Sequence, residues 1–249
     1  PLVGVVKTCL YVATSATNGS VGDFIPHRLS VAASHACGAF SYAGQPIPTT
    51  VTALNAAGGT TVNFNGTATT TPTFAQAVTL ADASGLGLGT LSGASIAASA
   101  FSAGVASASP SYAFSTKATA PQSLVLRASN GASGAALVSS AGGTEPTLPL
   151  RSGRLRLSNA YGKATAALQL PVVAEYWAGS AWLLNSADSC TALAGASVAL
   201  ANPRGATGAA SAATTSAGAL AMGSGNGSIT LAAPTPAGST LSLDIALNL

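Results

Sequence analysis

A chain of 249 residues, 6% charged and 48% apolar, has room for one large domain or two of ordinary size. That much apolar surface separates it from the disordered class, yet Ser, Thr, Asn or Gly breaks every apolar run short of the ~20 residues a membrane-spanning helix needs. A net charge of +3, dispersed along the chain, and 5% aromatics exclude the concentrated basic and stacking surface of a nucleic-acid binder.

Strand periodicity runs through the chain. Leu2 to Ala13 mixes apolar and β-branched residues, and Pro1-Leu2-Val3-Gly4 reads as the start of a processed or internal fragment. Thr49–Leu54 and Gly59–Phe64 are predicted short strands, followed by Ala77–Ala81, Ser111–Ser115 and Ser123–Ala128. In the last of these Leu124 and Leu126 share one face, with Ser123, Val125 and Arg127 on the other. Asn-Gly at Asn18-Gly19, Asn65-Gly66, Asn130-Gly131 and Asn226-Gly227 suits the positive φ of tight hairpins. The stretch from Ser139 to Pro149 is rich in Gly and Pro, and it suggests a boundary between domains at 1–145 and 146–249. Residues 201–228 are a low-complexity Ala/Gly/Ser/Thr region, either loop or strands of small side chains. The segment L-S-L-D-I-A-L-N-L closes the chain, placing Leu241, Leu243, Ile245, Leu247 and Leu249 on one face. The predicted fold is all-β: two immunoglobulin-like antiparallel β-sandwich domains in tandem.

The three cysteines are Cys9, Cys37 and Cys190. No C-x-x-C pair supports zinc. One disulfide with a thiol left over, or three buried thiols, fits the sequence, and all three pairings stay open. A surface of Ser, Thr, Gly and Ala points to a protein working outside the cell, one also suited to self-association.

Two stretches carry more than composition. G-D-F-I-P-H-R-L-S-V (22–31) leads into C-G-A-F-S-Y-A-G-Q-P (37–46) and T-T-V-N-F-N-G (60–66). R-S-G-R-L-R-L-S-N-A-Y-G (151–162) leads into E-Y-W-A-G-S-A-W-L-L-N-S-A-D-S-C-T (175–191). In order and spacing these resemble the C-terminal region of MshQ-like proteins of the mannose-sensitive haemagglutinin type IV pilus system. The resemblance implies an exported, surface- or pilus-associated protein of a Gram-negative bacterium, built of β domains. It implies no catalytic residue and no cofactor.

The basic residues of the second stretch are its first candidate site. Arg154 and Arg156 are two apart and share a strand face, opposite Leu155 and Leu157. With Arg151 they form either a solvated face that guards a sheet edge or a cationic patch for an acidic glycan, a partner carboxylate or phospholipid. Glu175 on the following strand is their expected cross-strand partner. Asn159, Tyr161 and Gly162 read as a turn tied down by the tyrosine hydroxyl. Trp177 and Trp182 flank A-G-S; one is expected to anchor the core, the other to contact carbohydrate. Asp188 could join Asn185 in a turn or a calcium site; calcium would ask for several carboxylates, so the turn is the expected role.

Enzyme classes find little support. His27 and His35 lie near Asp23, but no G-x-S-x-G elbow occurs. G-L-G-L-G (85–89) lacks the dinucleotide-binding form. Six acids over the whole chain make a glycosidase pair improbable. The sequence therefore reads as a non-enzymatic structural or adhesive protein of a bacterial appendage, whose partners are pilus or surface proteins, copies of itself, or glycan. A filament subunit polymerising by strand addition through its terminal strands is the alternative, and a secreted hydrolase ranks below both.

Overall fold

The computed structural model describes residues 26–66, 74–116, 119–131 and 136–247. Cys9, Asp23, the predicted strand at Leu2–Ala13 and the Asn18-Gly19 turn lie outside the described residues. In chain order the strands begin with β1 (Arg28–Ala33), β2 (Ser41–Tyr42), β3 (Thr49–Leu54), β4 (Val78–Asp82), β5 (Gly89–Ser92) and β6 (Ser95–Ile96). Then come β7 (Val105–Ala108), β8 (Ser111–Phe114), β9 (Gln122–Ser129), β10 (Thr147–Arg151), β11 (Gly153–Leu157) and β12 (Leu168–Trp177). The last are β13 (Trp182–Leu184), β14 (Ala192–Leu193), β15 (Val198–Arg204), β16 (Leu220–Ala221), β17 (Asn226–Leu231) and β18 (Ser242–Leu247). Two single turns of 3-10 helix are the only helical elements among the described residues, and no helix there is long and apolar enough to cross a membrane. The fold is all-β.

The chain forms two compact units. The first comprises 1–35, 44–115 and 123–148; the second comprises 36–43, 116–122 and 149–249. Besides 149–249, the second unit takes two short segments, 36–43 and 116–122, from earlier in the chain.

In the first unit β1, β3 and β7 form an antiparallel sheet with Val31 opposite Val51 and Val51 opposite Ala106. β9, β4 and β6 are likewise antiparallel, and β5 pairs with β8. Strict alternation decides which side is buried. Thr49, Val51 and Ala53 of β3 face inward, as do Leu124, Leu126 and Ala128 of β9. Phe64 and Phe101 meet edge to face at 4.9 Å, both fully buried. The predicted strand at Gly59–Phe64 is absent except for one bridge, Leu54 to Thr60. The Asn55 side chain accepts the N–H groups of Ala57 and Gly59, and this local turn competes with strand extension.

In the second unit β12 is the central strand. β11 lies along one side, while β17 and β13 share the other. Leu170, Val172 and Ala174 of β12, with Ile229 and Leu231 of β17, present an apolar face. Val198, Leu220 and Met222 complete this core, joined by the half-buried Leu200 and Ile245 of the β15–β18 ribbon. The closing strand alternates as its sequence predicts, with Leu243, Ile245 and Leu247 half-buried, not fully buried. Asn226-Gly227 is not the turn. The hairpin turns two residues earlier, at Ser224-Gly225, where both residues have positive φ, 50° and 77°. Gly223 and Asn226 exchange backbone hydrogen bonds across it. β10 runs parallel to β2, with Leu150 opposite Ser41 and Arg151 opposite Tyr42.

Candidate functional site

Two clusters in the second unit gather the residues singled out by the sequence. The first is buried. Cys37 and Cys190 form a disulfide with Cα atoms 5.4 Å apart, an ordinary span for such a bond. Asp188, fully buried, lies against it, with one carboxylate oxygen 3.6 Å from the Cys37 sulfur and 3.5 Å from that of Cys190. That same oxygen accepts the backbone N–H groups of Cys190 and Thr191 at 3.1 and 2.9 Å. The other accepts the hydroxyls of Thr191 at 2.7 Å and Tyr42 at 2.9 Å. Asp188 thus makes the Asx turn its sequence suggests and is also a hub reaching 146 residues back along the chain.

The polar chain continues outward. Asn185, also fully buried, donates to the Tyr42 oxygen, and its own carbonyl oxygen accepts from Arg151. The Arg151 guanidinium sits 4.5 Å from the Phe40 ring centre and 4.9 Å from that of Tyr176. Every donor in the series Arg151, Asn185, Tyr42, Asp188 points the same way, so the bonds polarise one another. Burial, reinforced by the charge of Asp188, pushes the Tyr42 hydroxyl well above its ordinary pKa and keeps it a donor. Local geometry seats the ring: a Cβ on Gly153 would run into Tyr42. Cys37, Asp188 and Cys190 together would be a plausible metal-ligand set, but the two sulfurs are bonded to each other and both carboxylate oxygens already accept protein donors. The arrangement fits a staple, not an ion cradle.

The second cluster lies on the outward face of the β11–β12–β13 sheet. Register places Arg154 opposite Glu175 and Trp177 opposite Trp182. Arg154 bonds one oxygen of Glu175 through Nε at 2.8 Å, and Arg156 bonds the other through Nε at 2.7 Å. The two arginines, Arg156 foremost, hold the Glu175 carboxyl below its usual pKa against the opposing effect of burial. The Arg154 guanidinium also lies 4.3 Å from the Trp182 ring centre, and Trp182 meets Trp177 edge-on at 5.5 Å. Both tryptophans are half-buried.

The structure therefore separates Arg151 from Arg154 and Arg156: the first is inside the buried knot, the others on the open face. Tyr161 is not tied down. It stands 92% exposed in the loop after β11. Sequence reasoning joined Asp188 to Asn185 in a turn, and the Asp188 N–H does bond the Asn185 carbonyl at 2.9 Å; it missed Tyr42 as a partner of Asp188 and Phe40 beneath Arg151. The available signal was that C-G-A-F-S-Y and N-S-A-D-S-C-T each join a cysteine to residues suited to a buried polar network.

Remaining carboxylates among the described residues are engaged too. Glu145 takes Arg127 in a two-pronged pair at 2.9 and 2.8 Å, with Ser139 at 2.7 Å. Asp82 accepts from Ser84 and Tyr112, and Asp244 from Asn202.

Layered antiparallel sheets, a covalent staple and carboxylates bound into structural bonds define a disulfide-stapled β scaffold module. The chain belongs to the DUF6701 family: residues 7–144 match its third domain and residues 151–249 its fourth. Among curated protein sequences nothing matches. Two solved structures are similar. One is FdeC, an Escherichia coli adhesin, at 15% identity and a TM-score of 0.38, over 91% of this chain and 62% of that one. The other is the Yersinia pseudotuberculosis adhesin InvE, at 13% identity and a TM-score of 0.29, over 89% of this chain and 60% of that one. The chain spans about three fifths of the length of each.

Proposed function

We propose that this chain is a non-catalytic structural and adhesive section of a bacterial surface protein, working outside the cytoplasm and associated with a type IV pilus of a Gram-negative cell. The observation that carries the reading is the Cys37–Cys190 bridge packed on Asp188. Such a bond persists in oxidising compartments, and here its neighbouring carboxylate is committed to structure. The other described carboxylates are committed in the same way. The pilus association rests on the resemblance of residues 22–191 to MshQ-like proteins.

Surface labelling of intact cells, with adhesion compared between wild type and a strain lacking the gene, tests this. The protein is expected to label from outside with its bridge oxidised, and its loss is expected to reduce attachment. A cytoplasmic, fully reduced protein would sink the proposal. A second reading, polymerisation by strand addition, draws on one observation: β18 is hydrogen-bonded to β15 alone, so among the described residues its other edge has no strand neighbour. Regular fibres in negative stain that disappear when the closing strand is deleted would favour it.

A further inference from the structure

We infer that the outward face of β11, β12, β13 and β17 is a binding surface for an acidic polysaccharide; this names the ligand class for the adhesive reading above and rests on it. The argument begins with charge. Arg154 and Arg156 share one carboxylate, Glu175, so the trio carries one uncompensated positive charge. An arginine offers five N–H donors. Arg154 spends only Nε and one terminal nitrogen on Glu175, while Arg156 spends Nε on Glu175 and one terminal nitrogen on Ser158 at 3.4 Å. Their side chains are 44% and 49% exposed. One more carboxylate, presented from solvent, would meet both the surplus charge and unspent donors.

The surroundings favour a sugar over an acidic peptide. At one end of the face stand Trp177 and Trp182, both half-buried, with Arg154 over one side of the Trp182 ring; the aromatic surface left to solvent suits the C–H side of a pyranose. At the other, Gln169 is held flat by β17: its amide donates to Thr230 at 2.9 Å and accepts from Ser228 at 2.9 Å. Hydroxyls and a fixed planar amide suit the hydroxyl edges of a sugar, and they add no further charge for a polyanion of closely spaced carboxylates. β12 contributes ten residues, on the order of 30 Å of strand, so the rows form a track for a linear chain.

The test is calorimetric titration of the full chain with a polygalacturonate oligosaccharide, alongside a neutral dextran and a polyglutamate of matching length. Binding of the uronate is expected, weakening as salt rises, with dextran at least tenfold weaker. Trp182→Ala is expected to lose at least tenfold in affinity. Arg156→Gln, which can keep a hydrogen bond to Glu175 at an exposed position, is expected to lose severalfold and to abolish the preference for uronate over dextran. Failure to bind uronate, equal binding of dextran, binding of polyglutamate as tight as uronate, or an unaltered Arg156→Gln would each overturn the assignment. Surface labelling separates this from the broader reading: a surface-exposed protein that ignores uronate refutes the ligand alone, whereas a cytoplasmic one refutes the adhesive role as well.

Discussion

The two units stay folded by different means. The first relies on volume. Phe64, Phe101, Ile47, Leu29, Leu124 and Leu126 are all between 0 and 2% exposed, and burying side chains of that size is worth ~1.5–3 kcal/mol each. The second has a core cluster of Leu, Val, Ile, Met and Ala with no aromatic ring. Its fully buried ring, Phe40, sits instead under Arg151 in the polar knot. What the second unit lacks in apolar volume it replaces with a covalent bond, a saturated buried carboxylate and guanidinium–ring stacks. A chain poor in large apolar residues can still hold a β-sandwich if a few polar groups are fully satisfied and tied together across long sequence distances.

That contrast can be broken most directly at the disulfide. Replacing Cys37 and Cys190 by serine removes a link between residues 153 apart, and the chain-entropy argument puts the loss at about 5 kcal/mol. Urea titration should show the lowered midpoint. Hydrogen exchange should show it concentrated in β12 and β17, with β1 and β3 little changed; uniform loss in both units would mean that the contrast is false. Next in size is Phe101→Ala, expected to cost about 4 kcal/mol by leaving a cavity beside Phe64. Its effect should survive full reduction of the protein, because this part of the molecule does not depend on the bridge.

Asp188→Ala strands two backbone N–H groups and two hydroxyls, and a loss of roughly 3 kcal/mol is expected. A melting temperature within a degree of wild type would show that Asp188 is a bystander to the disulfide. The smallest effect is on pH. Glu175 and Glu145 are both held below the ordinary carboxylate pKa by arginine partners. A depressed folded pKa contributes stability above the unfolded value of roughly 4.3, and that stability is lost as pH falls through the folded one. Both pairs have arginines 42–49% exposed to solvent, so the expected loss on acidification is about 1 kcal/mol or less per site. Glu175→Gln should flatten the acid limb in a pH series of melts, and an acid limb unchanged by it would remove Glu175 from the account.

Local pattern was legible in the sequence and long-range assembly was not. Thr49–Leu54 was readable because four consecutive β-branched residues, Thr49 to Thr52, favour a strand, and the closing strand because every second residue is Leu or Ile. The Arg154–Glu175 pair was readable because residues two apart share a face and the next strand supplied an acid. Nothing local says that Ala36–Ala43 joins the second unit's core, since a segment's own residues do not announce which sheet it will complete. For the same reason Asp188 showed itself as a turn residue but not as the partner of Tyr42. The strand Thr147–Arg151 was hidden by Pro149, whose side chain points outward while Leu148 and Leu150 are buried on either side.

The Cys37–Cys190 bond also settles how the molecule would yield to traction. A load drawn along the polypeptide crosses from residue 37 to residue 190 through sulfur, and the stretch between them bears none of it. That stretch cannot be paid out however far the β structure is torn, until the bond is chemically cut. A force–extension trace should therefore gain about 500 Å of contour only when a reductant is added. Under tension the bridge is thus a length limiter, keeping the stretch between residues 37 and 190 out of the extended chain.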